Sequence, residues 1–450
     1  MTSLRVYPAD KPLSGRVEIP SDKSISHRAL ITAALGNGPS RLRRFSYGED
    51  NVKTLGVLRA LGVQVEDDNQ GTIIVEGACL DGLKEATIDL DCGNSGTTMR
   101  LMCGVLSAQP FHSRMIGDAS LSARPMKRVA EPLGMRGAFI RGRHHPTKDG
   151  DITAPLDVGP LPLGKRLNEL EYRLPIASAQ VKSALLLSGL FASGPTVLFE
   201  PLLSRDHTER MLQAIGVSLQ TVGTSVRLDP PESPSALNAF DIELPGDLSA
   251  AAFPLVAAAL VESSNVTTLH TGTNPSRTGL IDILKSLGAH YVLAPRGSVL
   301  NEPLGEIMVK QQPLRACLIG GEMATRAIDE IPIVCALAAR ARGTTEIADV
   351  SELRVKESDR LATMAVVLRE FGVECEERPD GLIIEGRPEG PLKAARISSH
   401  GDHRIAMTAA ILALVADGPT DIDDTECIAT SFPGFAATLR TMGARLEEFS

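Results

Sequence analysis

The chain has 450 residues, 43% hydrophobic and 22% charged, which is the balance of a globular protein long enough for two or three cores and excludes disordered and fibrous classes. Its formal charge of −9 lacks the basic face that nucleic acid or an anionic membrane requires, so neither is an expected partner. Any anionic ligand must therefore be met by local cationic pockets.

The opening Met-Thr-Ser-Leu-Arg-Val-Tyr-Pro has no apolar leader core, and no apolar run approaches the roughly 18 residues that span a bilayer. Seven cysteines, at 79, 92, 103, 317, 335, 375 and 427, form an odd set without a C-x-x-C pair. That pattern fits a reducing cytoplasm without disulfides or structural zinc.

In chain order, Leu4–Tyr7 and Gly15–Ile19 read as strands. Pro-Ser-Asp-Lys-Ser-Ile-Ser-His-Arg (20–28) then opens a helix on Lys23 and Ser24, with Arg28 one turn on. Free N–H groups, a hydroxyl, an ammonium and a guanidinium at a helix start are what a phosphate or carboxylate needs. Asn51–Leu61 reads as a helix closed by Gly62, and Val63–Val75 as a hairpin turning at Asn69-Gln70-Gly71. Gly-Asn-Ser-Gly-Thr-Thr-Met-Arg (93–100) opens another helix, with Arg100 one turn in. It lacks the Gly-Lys-Ser/Thr ending of a nucleotide loop. Cationic and small polar residues follow at Arg124 and Arg128, at Ser178, Gln180 and Lys182, and at Arg205. His144 and His145 lack a ligand-spaced partner and read as a solvated loop.

Asp229-Pro-Pro-Glu-Ser-Pro-Ser235 has linker composition. Beyond it, matching places hold Arg277, Asp329, the stretch Ser-Glu-Leu-Arg-Val-Lys-Glu-Ser-Asp-Arg (351–360), and His403-Arg404. The 351–360 stretch is expected to begin a helix that runs toward Arg369. Lys356 and Arg360 there would bind an anion, and a carboxylate such as Glu357 beside an anion points to acid/base work.

An apolar residue followed by glycine and a strand-like run recurs at Gly62, Gly134, Gly216, Gly288, Gly372 and Gly443, with spacings of 72, 82, 72, 84 and 71. Between these lie Ala/Leu-rich helices at Asp22–Leu35, Asn94–Leu106, Ser178–Leu190, Asp247–Leu260, Asp329–Ala339 and Asp402–Val415. They are apolar nearly all round and so belong in a core. The chain is therefore predicted to be α/β, six copies of a helix, strand, helix and hairpin unit. The last copy ends with one hairpin strand missing, so the N-terminal strands are expected to complete it. That places three copies in a domain over 22–242 and three in a domain over 1–21 plus 243–450. Paired crossings near 20–23 and 240–247 would serve as a hinge for closure on a ligand.

The motifs Asp-Lys-Ser-Ile-Ser-His-Arg (22–28), Gly-Asn-Ser-Gly-Thr-Thr-Met-Arg (93–100), Arg-Pro-Met-Lys-Arg (124–128), Arg-Val-Lys-Glu-Ser-Asp-Arg (354–360) and Asp-His-Arg-Ile-Ala-Met (402–407) carry a resemblance along essentially the whole chain. It resembles the 3-phosphoshikimate 1-carboxyvinyltransferase family, also called 5-enolpyruvylshikimate-3-phosphate synthases. Ser-Ala-Gln-Val-Lys (178–182) and Arg-Asp-His-Thr-Glu (205–209) look like its second, often glyphosate-tolerant class. Two departures stand out: Thr430 replaces a first-class lysine, and Asn-Pro-Ser-Arg has serine where second-class members typically have threonine.

The resemblance implies six βαβαββ repeats in two three-unit domains, the enolpyruvyl transferase fold or inside-out α/β barrel. It implies transfer of the enolpyruvyl group of phosphoenolpyruvate to the 5-hydroxyl of shikimate 3-phosphate with release of phosphate. No cofactor or metal is implied, and a monomer is expected. Lys23, Arg128, Arg360 and Arg404 would hold phosphoenolpyruvate, and Lys23 counts with the catalytic set. Ser24, Arg28, Ser178, Gln180 and Arg205 would hold shikimate 3-phosphate, with Asn94, Gly96, Arg100, Arg124, Ala179 and His403 also lining the substrate site. Asp329 would take the proton of the attacking hydroxyl, while Glu357 with Lys356 handles protonation of the methylene. Two rival readings are enolpyruvyl transfer to a UDP-amino sugar and a non-catalytic anion binder. The first is disfavoured by serine after Lys23 and by the lack of a cysteine near Gly117–Arg124. The second is disfavoured by the carboxylates at Asp329 and Glu357.

Overall fold

A computed structural model describes residues 2–449. It contains six four-stranded sheets of one design. In the second of them, Leu90–Asp91 runs parallel to Ser113–Ile116, and the hairpin Ile140–His144 with Ile152–Val158 adds antiparallel to that pair. The helices Gly96–Leu106 and Lys127–Met135 fall between those strands in sequence, which gives βαβαββ. The sheet Leu170–Arg173, Thr196–Phe199, Ser225–Leu228 and Leu219–Val222 repeats the design. So does the sheet Leu318–Ile319, Thr344–Ile347, Gly381–Glu385 and Glu374–Arg378.

The remaining three sheets show how the chain ends and crossings are used. Ser3–Val6 lies between Thr420–Asp423 and Leu446–Phe449 and supplies the missing hairpin strand of the last copy. The second N-terminal strand does not join it, contrary to the sequence expectation. Ser14–Glu18 pairs parallel with Asn265–Gly272 in the fourth sheet. The reason is an exchange: Asp241–Glu243, which precedes the fourth copy, pairs with Asn37–Arg43 in the first sheet. Its departure leaves an unpaired edge beside Asn265–Gly272, and an open row of N–H and C=O groups needs a partner.

The helix ends follow the glycine pattern with one correction. Gly62, Gly216, Gly288, Gly372 and Gly443 have φ of 85, 100, 75, 76 and 107°, but Gly134 lies inside the helix Lys127–Met135. Gly137, at φ 94°, takes the left-handed place instead. The intervening Arg136 is fully buried. Its guanidinium donates to the Asn168 and Leu185 carbonyls and to the Ser188 and Thr196 hydroxyls, which anchors the extra turn.

Contacts divide the chain into two units. The central unit is Lys23–Leu244 with Val299–Glu302. The terminal unit holds the chain up to Asp22, Pro245–Ser298 and everything from Pro303 onward. Each has its own apolar core, and every residue of the helices Leu248–Leu260 and His403–Ala413 is buried. Polar groups on such helices can reach a ligand only from the first turn, so the helix starts position the chemistry. Among the described residues, no helix is long and apolar enough to cross a membrane.

Candidate active site

The sequence-predicted residues fall into two sets, one in each unit. In the central unit, Lys23 and Ser24 open the helix Lys23–Ala34. Lys23 Nζ lies 2.9 Å from Asp50 Oδ2. Arg28 is buried, and its Nε donates to Thr208 Oγ1 at 2.7 Å, its Nη1 to the Ser24 carbonyl at 2.9 Å and its Nη2 to Ser183 Oγ at 2.7 Å. This one guanidinium thus ties its own helix start to the helices Ala179–Gly189 and His207–Ala214.

Ser95 caps the helix Gly96–Leu106, accepting from the Thr98 N–H. Arg100 Nη1 donates to Gln180 Oε1 at 2.6 Å, and Gln180 Nε2 donates to Thr97 Oγ1 at 2.9 Å. Arg124 Nη2 donates to Asn94 Oδ1 at 2.5 Å. A Cβ on Gly96 would stand 2.9 Å from Arg100 Nη1 and 3.2 Å from Arg124 Nη1, and its φ is outside the left-handed region. Glycine there leaves room for the two guanidinium heads rather than meeting a backbone demand. Ser178 caps the helix Ala179–Gly189, and Ala179, Arg128 and Arg205 are half-buried.

The terminal unit holds Asp329, Lys356, Glu357, Arg360, His403 and Arg404. The helix expected from 351 begins instead at Arg360. Ser351–Val355 forms a 3-10 turn, and Lys356 breaks the run with φ −83° and ψ −152°. Asp359 then caps the helix, accepting from the Ala362 N–H, so Lys356 and Glu357 lie in the connection ahead of it. Arg360, 1% exposed, gathers the site. It donates to Asp402 from Nε at 2.8 Å and from Nη2 at 3.2 Å. Its Nη2 also lies 2.7 Å from Glu357 Oε2. Both Lys356 Nζ and Arg360 Nη1 stand 3.7 Å from Asp329 Oδ1.

These contacts set proton affinities. Burial opposes ionisation of Asp402, but the Arg360 guanidinium outweighs it and holds the carboxyl below the usual carboxylate range. Burial weakens the hold of Lys356 on its proton, against the pull of Asp329. Arg404 is 7% exposed. Among the described residues its guanidinium has no hydrogen bond or ion pair, which leaves its charge for a ligand.

The family model for EPSP synthase (3-phosphoshikimate 1-carboxyvinyltransferase) matches residues 8–439. The chain belongs to the EPSP synthase family. A 3-phosphoshikimate 1-carboxyvinyltransferase of Geobacter sulfurreducens is 46% identical over 99% of this chain and 100% of its own. One from Geobacillus thermodenitrificans is 45% identical over 96% of each chain. The EPSP synthase of Acinetobacter baumannii superposes over the full length of both chains with a TM-score of 0.88 and 40% identity. The enolpyruvyl transferase NikO of Streptomyces tendae, at 19% identity and a TM-score of 0.76, shares the fold. The six-repeat enolpyruvyl transferase fold expected from the sequence is the fold of this EPSP synthase family member.

Behind the named residues lies a polar layer, and Lys182, grouped with the ligand-binding cations in the sequence, belongs to it because two buried carboxylates hold it. His27 Nδ1 meets Thr54 Oγ1 at 2.6 Å, Thr54 meets Thr98 at 2.7 Å, and Thr98 Oγ1 donates to the Ser95 cap at 2.7 Å. Burial, then the charges of Lys23 and Arg28, push the His27 pKa well below its ordinary value, so the ring in this chain of hydroxyls is neutral. Lys182 Nζ sits 2.6 Å from Glu200 and 2.7 Å from Glu209, all three nearly sealed from solvent. Burial pushes Glu209 up even so. A lysine inside the otherwise apolar helix Ala179–Gly189 was the available signal.

Proposed function

We infer that the protein is a 3-phosphoshikimate 1-carboxyvinyltransferase, joining C2 of phosphoenolpyruvate to the 5-hydroxyl of shikimate 3-phosphate and releasing phosphate. Beyond the family match, the observation that supports this reading most is in the terminal unit: a buried, unpaired Arg404 together with Arg360 and Lys356 flanking Asp329. An anion is wanted there, and a base stands among the cations.

In this reading Lys23, Arg128, Arg360 and Arg404 hold phosphoenolpyruvate. Ser24, Arg28, Ser178, Gln180 and Arg205 hold shikimate 3-phosphate, with Asn94, Gly96, Arg100, Arg124, Ala179 and His403 completing the lining. Lys356, its proton loosened by burial, works with Glu357 to protonate the methylene carbon. C2 becomes electrophilic, the 5-hydroxyl oxygen bonds to it, and Asp329 takes the hydroxyl proton. Return of a proton from the new methyl group to Glu357 and Lys356 then restores the double bond as the C2–O bond to phosphate breaks and phosphate leaves. The units act as domains of three repeats each, and the protein works as a cytoplasmic monomer without a nucleic-acid or membrane partner. Its seven cysteines, all free thiols, support that compartment.

Phosphate release from phosphoenolpyruvate, measured with shikimate 3-phosphate or with a UDP-amino sugar as acceptor, tests the reading. Release with shikimate 3-phosphate alone is expected. Silence with shikimate 3-phosphate would overturn it.

A further inference from the structure

Arg277 stands in the terminal unit, 3% exposed, in the Asn-Pro-Ser-Arg stretch that the reaction scheme leaves unused. Three carboxylates and a hydroxyl face its fork. Nη1 lies 3.3 Å from Asp22 Oδ2, while Nη2 lies 3.3 Å from Asp247 Oδ1, 3.5 Å from Glu330 Oε1 and 2.6 Å from Ser249 Oγ. The Ser249 hydroxyl also donates to Glu330. Burial works against the guanidinium charge, but the three carboxylates more than offset it.

The partners are not a random acidic set. Asp22 and Asp247 lie at two of the places where the chain passes from one unit to the other, after Asp22 and before Pro245; the short excursion Val299–Glu302 adds two more that the sequence did not suggest. The first two passages are stitched together by the Asp22 N–H donating to the Pro245 carbonyl at 2.7 Å and the Asp247 N–H donating to the Pro20 carbonyl at 2.9 Å. Glu330 stands immediately before the helix Ile331–Arg340 and is the immediate neighbour of Asp329. One side chain therefore grips both crossings and the backbone that aims Asp329.

We propose that Arg277 is a positioning residue, a clasp that fixes Asp329 relative to the two crossings so that base and crossings adopt their working arrangement together. The proposal rests on the assignment of Asp329 as base. A guanidinium suits the task because its two Nη atoms serve different carboxylates at once, whereas an ammonium is a single point.

The test is a double-mutant cycle on the full-length protein. Arg277→Lys keeps the charge and loses the fork. It is expected to lower kcat about 10- to 100-fold, the scale of a misplaced catalytic group, with KM for both substrates changed less than about 3-fold. Asp329→Asn alone must abolish most turnover. In the Asp329→Asn background, Arg277→Lys is expected to cost nothing further in kcat, because its effect passes through Asp329. A merely structural role would lower kcat by the same factor in both backgrounds, and that additivity would overturn the proposal. Wild-type turnover in Arg277→Lys would overturn it too. Wild-type turnover in Asp329→Asn would instead strike at the proposed function. If Arg277→Lys does not fold, Ser249→Ala removes the shortest Arg277 contact without touching a charge, and the same non-additivity decides.

Discussion

The two units both hold cations near helix starts, but they brace them differently. In the central unit the guanidinium groups of Arg28, Arg100 and Arg124 are held by neutral oxygens of Thr208, Ser183, Gln180 and Asn94. In the terminal unit Arg360 is held by the carboxylates of Asp402 and Glu357 and faces a third at Asp329. A hydrogen bond to a neutral oxygen fixes the direction of a guanidinium without itself cancelling charge. A carboxylate brace cancels part of that charge but supplies groups that can take up and return protons beside a cation. On the proposed function, this difference gives proton transfer to the terminal unit, while anion binding is shared between the cations of the central unit and Arg404 of the terminal one. Lys23, 2.9 Å from Asp50 Oδ2, and Lys182, between Glu200 and Glu209, depart from the pattern of Arg28, Arg100 and Arg124; Lys182, with a side chain only 3% exposed, is an internal strut.

The largest effect expected is on turnover in the terminal unit. Asp329→Asn and Glu357→Gln each lose about 10²- to 10⁴-fold in kcat, the range of general acid–base contributions, while calorimetry finds shikimate 3-phosphate bound nearly as before. Near-normal turnover in either variant breaks the division.

Next is the strut. Lys182→Met strands Glu200 and Glu209 in the core and costs about 3–5 kcal/mol of stability near neutral pH, read from urea unfolding. Burial already raises Glu209 with the lysine present, so its folded-state pKa is expected to stand above its unfolded value in the variant. A raised folded-state carboxyl pKa destabilises once pH exceeds the unfolded value. The deficit therefore shrinks as pH falls toward about 4.3, the unfolded glutamate value. A deficit equal at pH 5 and pH 8 contradicts the strut.

Arg404→Gln removes the uncompensated charge and lowers kcat/KM for phosphoenolpyruvate by about 10²- to 10³-fold, as for loss of one preorganised donor. A change below threefold would mean that Arg404 faces no substrate. The smallest effect sharpens the central-unit side. Gly96→Ala pushes a methyl toward the Arg100 and Arg124 heads, at a cost of roughly 1–3 kcal/mol for the longer inhibitor glyphosate. That corresponds to inhibition weakened about 5- to 150-fold, with a smaller rise in the phosphoenolpyruvate KM. Since the Gly96 backbone does not need glycine, Tm is expected to hold. Equal losses for inhibitor and substrate contradict the placement of Gly96 against the extra length of the inhibitor.

The architecture was legible because the hydrophobic code is local. Apolar helices such as Leu248–Leu260 and glycines such as Gly62 announce themselves within a dozen residues, and they repeat. What escaped was decided by distant partners. The helix starts at Arg360 and not at Ser351 because Asp359 caps locally while Arg354 holds Asp359 and Glu377 from the preceding 3-10 turn. Gly137 rather than Gly134 closes its helix because buried Arg136 finds acceptors up to 60 residues away. The exchange of Ser14–Glu18 and Asp241–Glu243 between sheets reflects which edge is vacant, and no strand's own sequence records that. In the site, the motifs marked the cations at helix starts but not their braces, since Asp402 meets Arg360 across 42 residues and Thr208 meets Arg28 across 180.

The division between the units is tested most directly by measuring kcat and KM for one variant from each in the same phosphate-release assay. Asp329→Asn is predicted to lose kcat at nearly unchanged KM for both substrates. Arg124→Gln is predicted to raise KM with kcat kept within about threefold, the signature of lost uniform binding. The opposite assignment, with Asp329→Asn acting on KM and Arg124→Gln on kcat, or equal behaviour of the two, would contradict it.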